Sequence, residues 1–154
     1  MNLFKKLKPY QVDLLLFGLD KSDKVLVPEF KLEYPITFDD KTSTFLVKDG
    51  EVLIHKSKIF KKSLLLSSFG FKQPLMTIGD AFTNDEYRGK GIYPAVLERI
   101  VSKHLKDSSL YLLVSPENIP SIRGIEKAGF SKVANLKCLK IGPIYLNKKL
   151  VRFD

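Results

Sequence analysis

Hydrophobic and polar positions alternate over short stretches in the first third of the chain. The apolar run 12–17 predicts a strand, and residues 25–27, where valines alternate with other side chains beside Lys24, predict a further short strand. Between residues 45 and 55, two β-prone runs flank Asp49-Gly50, a pair that supplies the positive φ angles of a tight turn. We therefore expect a hairpin whose second strand ends at His55.

The second half of the chain carries a helical period. Apolar residues recur at three- and four-residue spacing over residues 93–105, which predicts an amphipathic helix. Pro94 suits the first turn of that helix. Residues 74–83 before the helix predict a strand, in which Gly79 indicates a bulge.

Three strands and a shorter helix are predicted after the long helix. Residues 110–114 are rich in bulky apolar side chains and predict a strand. A helix over residues 120–127 can end at Gly129 in the left-handed conformation. Residues 133–139 and 144–151 predict the last two strands, whereas residues 63–71 are apolar without a deciding period.

This order of elements predicts a mixed α/β sheet in one domain spanning residues 1–154. The sequence has no internal repeat and no low-complexity linker, and its length can bury a core without a disulfide or a structural metal. A single cysteine, Cys138, excludes an internal disulfide and a cysteine-cluster metal site. We expect no metal and interpret Cys138 as a small buried side chain.

The composition is that of a soluble globular protein with a basic surface. The chain is 44% hydrophobic and 28% charged, and its apolar runs are far shorter than the ~18–20 residues that span a bilayer. The N-terminal residues lack the apolar core of a signal peptide, so we expect a cytoplasmic location. The net charge of +9 favours an anionic partner, but the lysines are scattered and mostly fit a solvated surface better than a nucleic-acid groove.

A glycine-rich segment, residues 84–94, connects the strand 74–83 to the long helix. Such a turn leaves backbone N–H groups unpaired at the positive end of a helix dipole, which suits a pyrophosphate. Gly89 and Gly91 allow close approach of the backbone, and Arg88 and Lys90 add positive charge. The segment matches neither a Walker loop nor a dinucleotide fingerprint, and an ordinary glycine-rich connection is the alternative.

The segment Arg88-Gly89-Lys90-Gly91-Ile92-Tyr93 resembles the Arg/Gln-x-x-Gly-x-Gly/Ala signature of the GNAT superfamily of acyl-CoA-dependent N-acyltransferases, with Tyr93 in place of the last small residue. The stretch from Asn118 to Phe130 is similar to the family's Asn-x-x-Ala/Ser…Glu-Lys-x-Gly-Phe segment. The resemblance is clearest over about residues 45–130. It implies a GNAT-like α/β fold, with flanking helices on a mixed, mostly antiparallel sheet that splays between its fourth and fifth strands.

The resemblance also implies acetyl-CoA as co-substrate and the residues that bind it. They lie at the end of the cofactor strand, in the glycine-rich loop and at the start of the second helix: Ala81, Phe82, Thr83, Arg88, Gly89, Lys90, Gly91, Ile92, Tyr93, Asn118 and Ser121. Helix capping is the structural alternative for Asn118 and Ser121.

The residues that would move protons are less clearly marked. Many relatives place a tyrosine acid seven residues after the asparagine, where this chain has Ile125. Tyr111 and Tyr93 are the nearby hydroxyls, although core packing would also explain them. Asp80, in an apolar run where a buried carboxylate would suit proton transfer, and His55, with an ordinary pKa near 6.5, are the candidate bases. A purely structural role would explain Asp80 and His55 equally well.

The resemblance therefore implies an N-acetyltransferase that moves an acetyl group from acetyl-CoA directly to a primary amine of a small molecule, such as an amino sugar or a nucleotide-linked amino sugar. Direct transfer needs proximity and an oxyanion donor rather than a protein nucleophile. A non-catalytic CoA-binding or sensor module is the alternative, which Ile125 favours. A nucleic-acid-binding protein would rest on the charge alone. Whether the first 40 residues form an acceptor pocket or the edge of a homodimer stays open.

Overall fold

The computed structural model describes residues 7–24 and 29–154, and within them eight strands form one sheet. The strands are β1 (Tyr10–Leu19), β2 (Ile36–Asp39), β3 (Thr44–Asp49), β4 (Val52–Phe60), β5 (Met76–Thr83), β6 (Leu110–Val114), β7 (Ser131–Ile141) and β8 (Ile144–Arg152). The helices are α1 (Leu64–Ser68), α2 (Ile92–His104) and α3 (Ile119–Lys127). The strand predicted over residues 25–27 lies outside the described residues. None of these helices is long and apolar enough to cross a membrane.

The sheet has the order β2-β3-β4-β5-β6-β1-β7-β8. Its neighbouring strands pair antiparallel except β5 and β6, which are parallel. The parallel pair needs a long crossover, and α2 supplies it. The expected mixed, mostly antiparallel α/β sheet is therefore confirmed. The short strand β2 was not among the predicted elements, and α1 forms in the segment whose type the sequence left open.

The predicted hairpin is formed by β3 and β4. Gly50 lies in the turn with a φ of +56°, in the left-handed region that an Asp-Gly turn requires. The second strand does not end at His55, however. It continues to Phe60, because the residues beyond His55 still pair with β3 on one side and with β5 on the other. His55 is thus central in the sheet, opposite Val47 and Thr83.

The two parallel strands stay together over only three residue pairs. Met76, Thr77 and Ile78 of β5 lie opposite Leu110, Tyr111 and Leu112 of β6. Beyond Ile78, β5 follows β4, whereas the end of β6 follows β1. The strands therefore diverge and leave a wedge between their carboxyl ends. The splay that the resemblance implied is present, and in this chain it lies between the fifth and sixth of the described strands.

A bulge in β5 lies at the start of this wedge. Lys56 pairs with Phe82 and Lys58 with Gly79, so β5 uses one residue more than β4 over the same distance. Asp80 takes up the irregularity with a φ of +49°. The bulge that Gly79 predicted is present, and Asp80 rather than Gly79 adopts the left-handed conformation.

Apolar side chains cover both faces of the sheet. On one face, α2 and α3 pack on the larger cluster, into which α2 inserts Ile92, Val96, Leu97, Ile100 and Val101. Burying each such side chain contributes about 1.5–3 kcal/mol. On the other face, Leu66 of α1 packs with Leu16, Ala134 and Leu136. Cys138 is buried in β7, as expected.

Gly18→Ala in β1 is expected to lower the free energy of unfolding by about 1–3 kcal/mol, because the new methyl group overpacks a filled site. Its Cβ would lie 2.9 Å from Cγ2 of Val133 and 3.1 Å from Cε1 of Tyr111. Gly79→Ala is the matched control, since its Cβ would meet only the ring of the exposed Phe60, 3.2 Å away. Urea unfolding measures both variants, and equal losses would contradict the packing argument.

Candidate acyl-CoA site

A cleft of about 560 Å³ opens beside the end of β5, beyond the residues that pair with β6. Its walls are the end of β5, the glycine-rich loop with the start of α2, and one side of α3. Of the cofactor-binding residues predicted from the sequence, all except Lys90 line it: Ala81, Phe82, Thr83, Arg88, Gly89, Gly91, Ile92, Tyr93, Asn118 and Ser121. The fold thus brings together three segments that are far apart in the sequence.

The glycine-rich loop presents unpaired backbone donors to this cleft. Gly89 and Gly91 have φ values of +74° and +72°, and Gly91, the residue before α2, provides no side-chain cap. None of the N–H groups of residues 89–93 donates to an acceptor in the described part of the chain; the first amide of the helix to do so is that of Ala95, to Gly91 at 3.2 Å. A row of free donors at the positive end of a helix dipole suits a pyrophosphate.

Side chains of the loop fasten it to the neighbouring strands. Arg88 donates from Nε to the carbonyl oxygen of Thr83 at 3.3 Å, and its guanidinium lies 3.0 Å from the carboxylate of Asp85. Because this pair is exposed, it contributes little to stability. Lys90 places its ammonium 5.0 Å from the centre of the Tyr87 ring, outside the cleft lining. Arg88 therefore holds the loop as well as adding charge.

His55 lies at the inner end of the cleft, fully buried. Its Nδ1 is 2.7 Å from the hydroxyl of Thr83, and its Nε2 is 2.7 Å from the hydroxyl of the equally buried Ser57. Burial lowers the His55 pKa from 6.5 to about 4, because the charged imidazolium loses its hydration. The ring is therefore neutral at pH 7, and both of its nitrogens are engaged.

Tyr93, the departure from the motif, fits because of a glycine on α3. Its ring centre is 5.4 Å from that of His55, with the two planes inclined by 31°. A Cβ at Gly124 would lie only 3.1 Å from Cδ1 of Tyr93, so this glycine makes room for the ring. Burial raises the pKa of the Tyr93 phenol, which stays protonated.

The segment that leads into α3 confirms the capping alternative for Asn118. Its side-chain oxygen accepts a hydrogen bond from the amide of Ser121 at 3.3 Å. Ile125, at the position of the family's tyrosine, is buried in the core. Arg123 and Lys127 also line the cleft, and the sequence analysis missed them. The sequence pattern that could have indicated them is their spacing, since they lie four residues apart on a helix whose opposite side is apolar.

The likeness to known proteins lies in the fold. No protein-family model and no curated protein matches the sequence. A GNAT-family acetyltransferase from Colwellia psychrerythraea superposes with a TM-score of 0.57 at 13% identity, covering 87% of this chain and 56% of that one. A candidate acetyltransferase of the same family from Novosphingobium aromaticivorans gives 0.58 at 14% identity, covering 94% and 66%.

This chain has the GNAT fold. At such low identity the likeness is one of fold, and the chain spans between about half and two thirds of the length of these two proteins. The residues that line the wedge are this chain's own, and their chemistry has to be argued from them.

The GNAT fold places two of the candidate proton-transfer residues outside the cleft lining. Tyr111 lies on β6 and lines a different cavity with Met76 and Ser109, at the opposite ends of the parallel strands. Asp80 is exposed rather than buried, because the left-handed bulge turns it outward; its carboxylate lies 2.8 Å from the ammonium of Lys56. The expected burial of Asp80 is therefore wrong, and Tyr111, one of the two nearby hydroxyls that the sequence offered, does not line the cleft.

Lowering the pH from 7 to 5 is expected to destabilise the protein through His55. The folded state holds the His55 pKa near 4 and the unfolded chain near 6.5, so between these values the unfolded state binds more protons. The contribution of His55 to the free energy of unfolding is fully present above the pKa of the unfolded state and decreases as the pH falls. At pH 5 the free energy of unfolding is lower by about 2 kcal/mol. Urea unfolding at both pH values measures the loss.

His55→Gln should lose most of this pH dependence, whereas His104→Gln, which removes the second and less buried histidine, should keep it. If the free energy of unfolding depends on pH equally in His55→Gln and in the parent protein, the His55 ring is not protected from protonation in the folded state.

Proposed function

We propose that this protein is an N-acetyltransferase of the GNAT family that transfers an acetyl group from acetyl-CoA directly to a primary amine of a small molecule. The observation that carries the proposal is the row of unpaired amides at residues 89–93, which borders a cleft lined by the end of β5, the start of α2 and one side of α3. A pyrophosphate satisfies such donors, and an extended acyl arm fills such a wedge.

The strand β5 offers the acyl arm a free edge. Beyond Ile78, β5 has no partner strand on the side of β6, so backbone groups that β4 does not bind can face a ligand there, apart from the Thr83 carbonyl oxygen, which accepts from Arg88. The pantetheine arm of CoA carries two amide groups, which can pair with such an edge as an added strand would. Arg123 and Lys127 add positive charge on the facing helix for the remaining phosphate.

The transfer itself requires two protons to leave the ammonium of the acceptor. The amine attacks the thioester carbon, the new C–N bond forms, the C–S bond breaks, and the released CoA thiolate takes up the second of these protons from the nitrogen; before the attack, the ammonium must give its first proton to a base. We propose Asp80 for this role. Its exposed carboxylate, paired with Lys56, lies at the bulge next to Ala81, which lines the cleft.

An amino sugar or a nucleotide-linked amino sugar is the acceptor class that we propose. The exposed ring of Phe82 can stack on a sugar, and Lys56, across the sheet from it, can pair with a phosphate. A cytoplasmic location is part of the proposal, supported by the buried thiol of Cys138 and by the need for acetyl-CoA.

Thermal unfolding with acetyl-CoA, desulfo-CoA and ATP tests the cofactor. A ligand that binds only the folded protein raises its Tm, so both CoA species should raise it more than ATP does. Equal shifts for all three ligands would show a general phosphate site, and no shift would refute the proposal.

Gly91→Ala is expected to weaken acetyl-CoA binding about tenfold, since its Cβ would enter the space next to the amide row. Gly70→Ala is the matched control: both glycines have positive φ, +72° and +86°, and neither Cβ would meet another atom. The two substitutions therefore carry similar backbone strain, but Gly70 is remote from the cleft. Isothermal titration calorimetry should show an unchanged Kd for Gly70→Ala; an unchanged Kd for Gly91→Ala would place the pyrophosphate elsewhere.

Asp80→Asn should leave acetyl-CoA binding intact and lower kcat at pH 7 by about 10²-fold, the usual contribution of a general base. The loss should shrink as the pH approaches the pKa of the acceptor amine, which then attacks without a base. Glu86→Gln, another exposed acid near the cleft, is the control and should keep full activity. A kcat of Asp80→Asn equal to that of the control would exclude Asp80 as the base.

A CoA-binding module without catalysis is the second candidate. The buried Ile125 favours it, because no hydroxyl at that position can protonate the leaving thiolate. Turnover of the thioester with an amine present separates the two functions: the module would gain stability from acetyl-CoA and never consume it.

A further inference from the structure

A chain of three polar side chains leads from the core to the cleft. Ser57 and His55 are fully buried, and their side chains are 2.7 Å apart; the hydroxyl of Thr83 continues the chain, 2.7 Å from the other ring nitrogen. Thr83 is half-buried and lines the cleft. The Tyr93 ring lies beside the imidazole and shields it from water.

Counting protons fixes the direction of these hydrogen bonds. The hydroxyl of Ser57 is buried and has no other acceptor in the described part of the chain, so it donates to Nε2 of His55. The neutral ring then carries its proton on Nδ1 and donates it to Oγ1 of Thr83. The opposite direction would leave the Ser57 proton buried and unpaired, which folded proteins avoid.

The hydroxyl of Thr83 can then donate its proton to a hydrogen-bond acceptor in the cleft. Oγ1 already accepts from His55, and the Thr83 hydroxyl donates to no acceptor in the part of the chain that the structure describes. The backbone of Thr83 is held as well, since its carbonyl oxygen accepts from Arg88. The backbone and the side-chain oxygen of the residue are both held, so Oγ1 has a defined position at the cleft.

We propose that Thr83 is a fixed hydrogen-bond donor for a carbonyl oxygen of the acyl-CoA arm, and that His55 and Ser57 are positioning residues that aim it. A carbonyl oxygen can only accept, which makes it the natural partner of a hydroxyl whose acceptor side is taken. The inference rests on the proposed function, because the arm that supplies the carbonyl is that of acyl-CoA. It assigns a binding role to the Thr83 side chain, whereas the motif implied only backbone contacts there.

Isothermal titration calorimetry with acetyl-CoA tests the donor. Thr83→Val has nearly the same shape without the hydroxyl and should raise the Kd about five- to tenfold, whereas Thr83→Ser should restore it to within about twofold. Equal Kd values for Thr83→Val and the parent protein would overturn the inference. No binding by the parent protein would instead refute the proposed function, and the inference with it.

The imidazole tautomer gives a test that needs neither a ligand nor a variant of Thr83. The chain has two histidines, so ¹⁵N NMR of the ring nitrogens at pH 7 can be assigned with a His104→Gln variant. We expect the Nδ1-protonated neutral form for His55. The Nε2-protonated form would require Thr83 to donate to the ring instead of the cleft, and would overturn the inference.

Discussion

The cleft depends on the early end of pairing between β5 and β6. After Ile78 each strand follows a different partner, and the backbone of β5 is left with one unpaired edge. Unpaired backbone groups are tolerated only where water or a ligand can satisfy them. The divergence therefore creates the space and the hydrogen-bonding groups at once, and the loop and α3 close the walls around them.

Several local features maintain this divergence and shape the cleft at a cost in stability. Asp80 holds a left-handed conformation that is unfavourable for a residue other than glycine. Ser57 and His55 occupy core positions that apolar side chains would fill without the need for hydrogen bonds. Such costs are common where a fold forms a binding site. The apolar cluster under α2 offsets them, because it fixes the helix whose first turn faces the cleft.

The neutral His55 illustrates how burial changes chemistry. An exposed imidazole would titrate near neutral pH and could accept a proton from a substrate. Here the ring has lost its hydration and both nitrogens are within hydrogen-bond distance of hydroxyl groups. It therefore stays neutral and orients the hydroxyl groups of Ser57 and Thr83. The charged groups of the site, Arg88, Arg123 and Lys127, lie instead at the cleft walls, where they remain solvated.

The sequence by itself determined most of the elements, the position of the glycine-rich loop and the class of fold. Periodicity is a local property, so residues 93–105 predicted α2 to within one residue, and the glycine spacing marked the loop at its start. The tertiary structure alone decided which side chains face the cleft. The left-handed conformation of Asp80 turned a carboxylate outward, the continuation of β4 buried His55, and α3 brought in Arg123 and Lys127. Side-chain orientation in a bulged sheet depends on register and on distant packing, and neither is encoded within a short stretch of sequence.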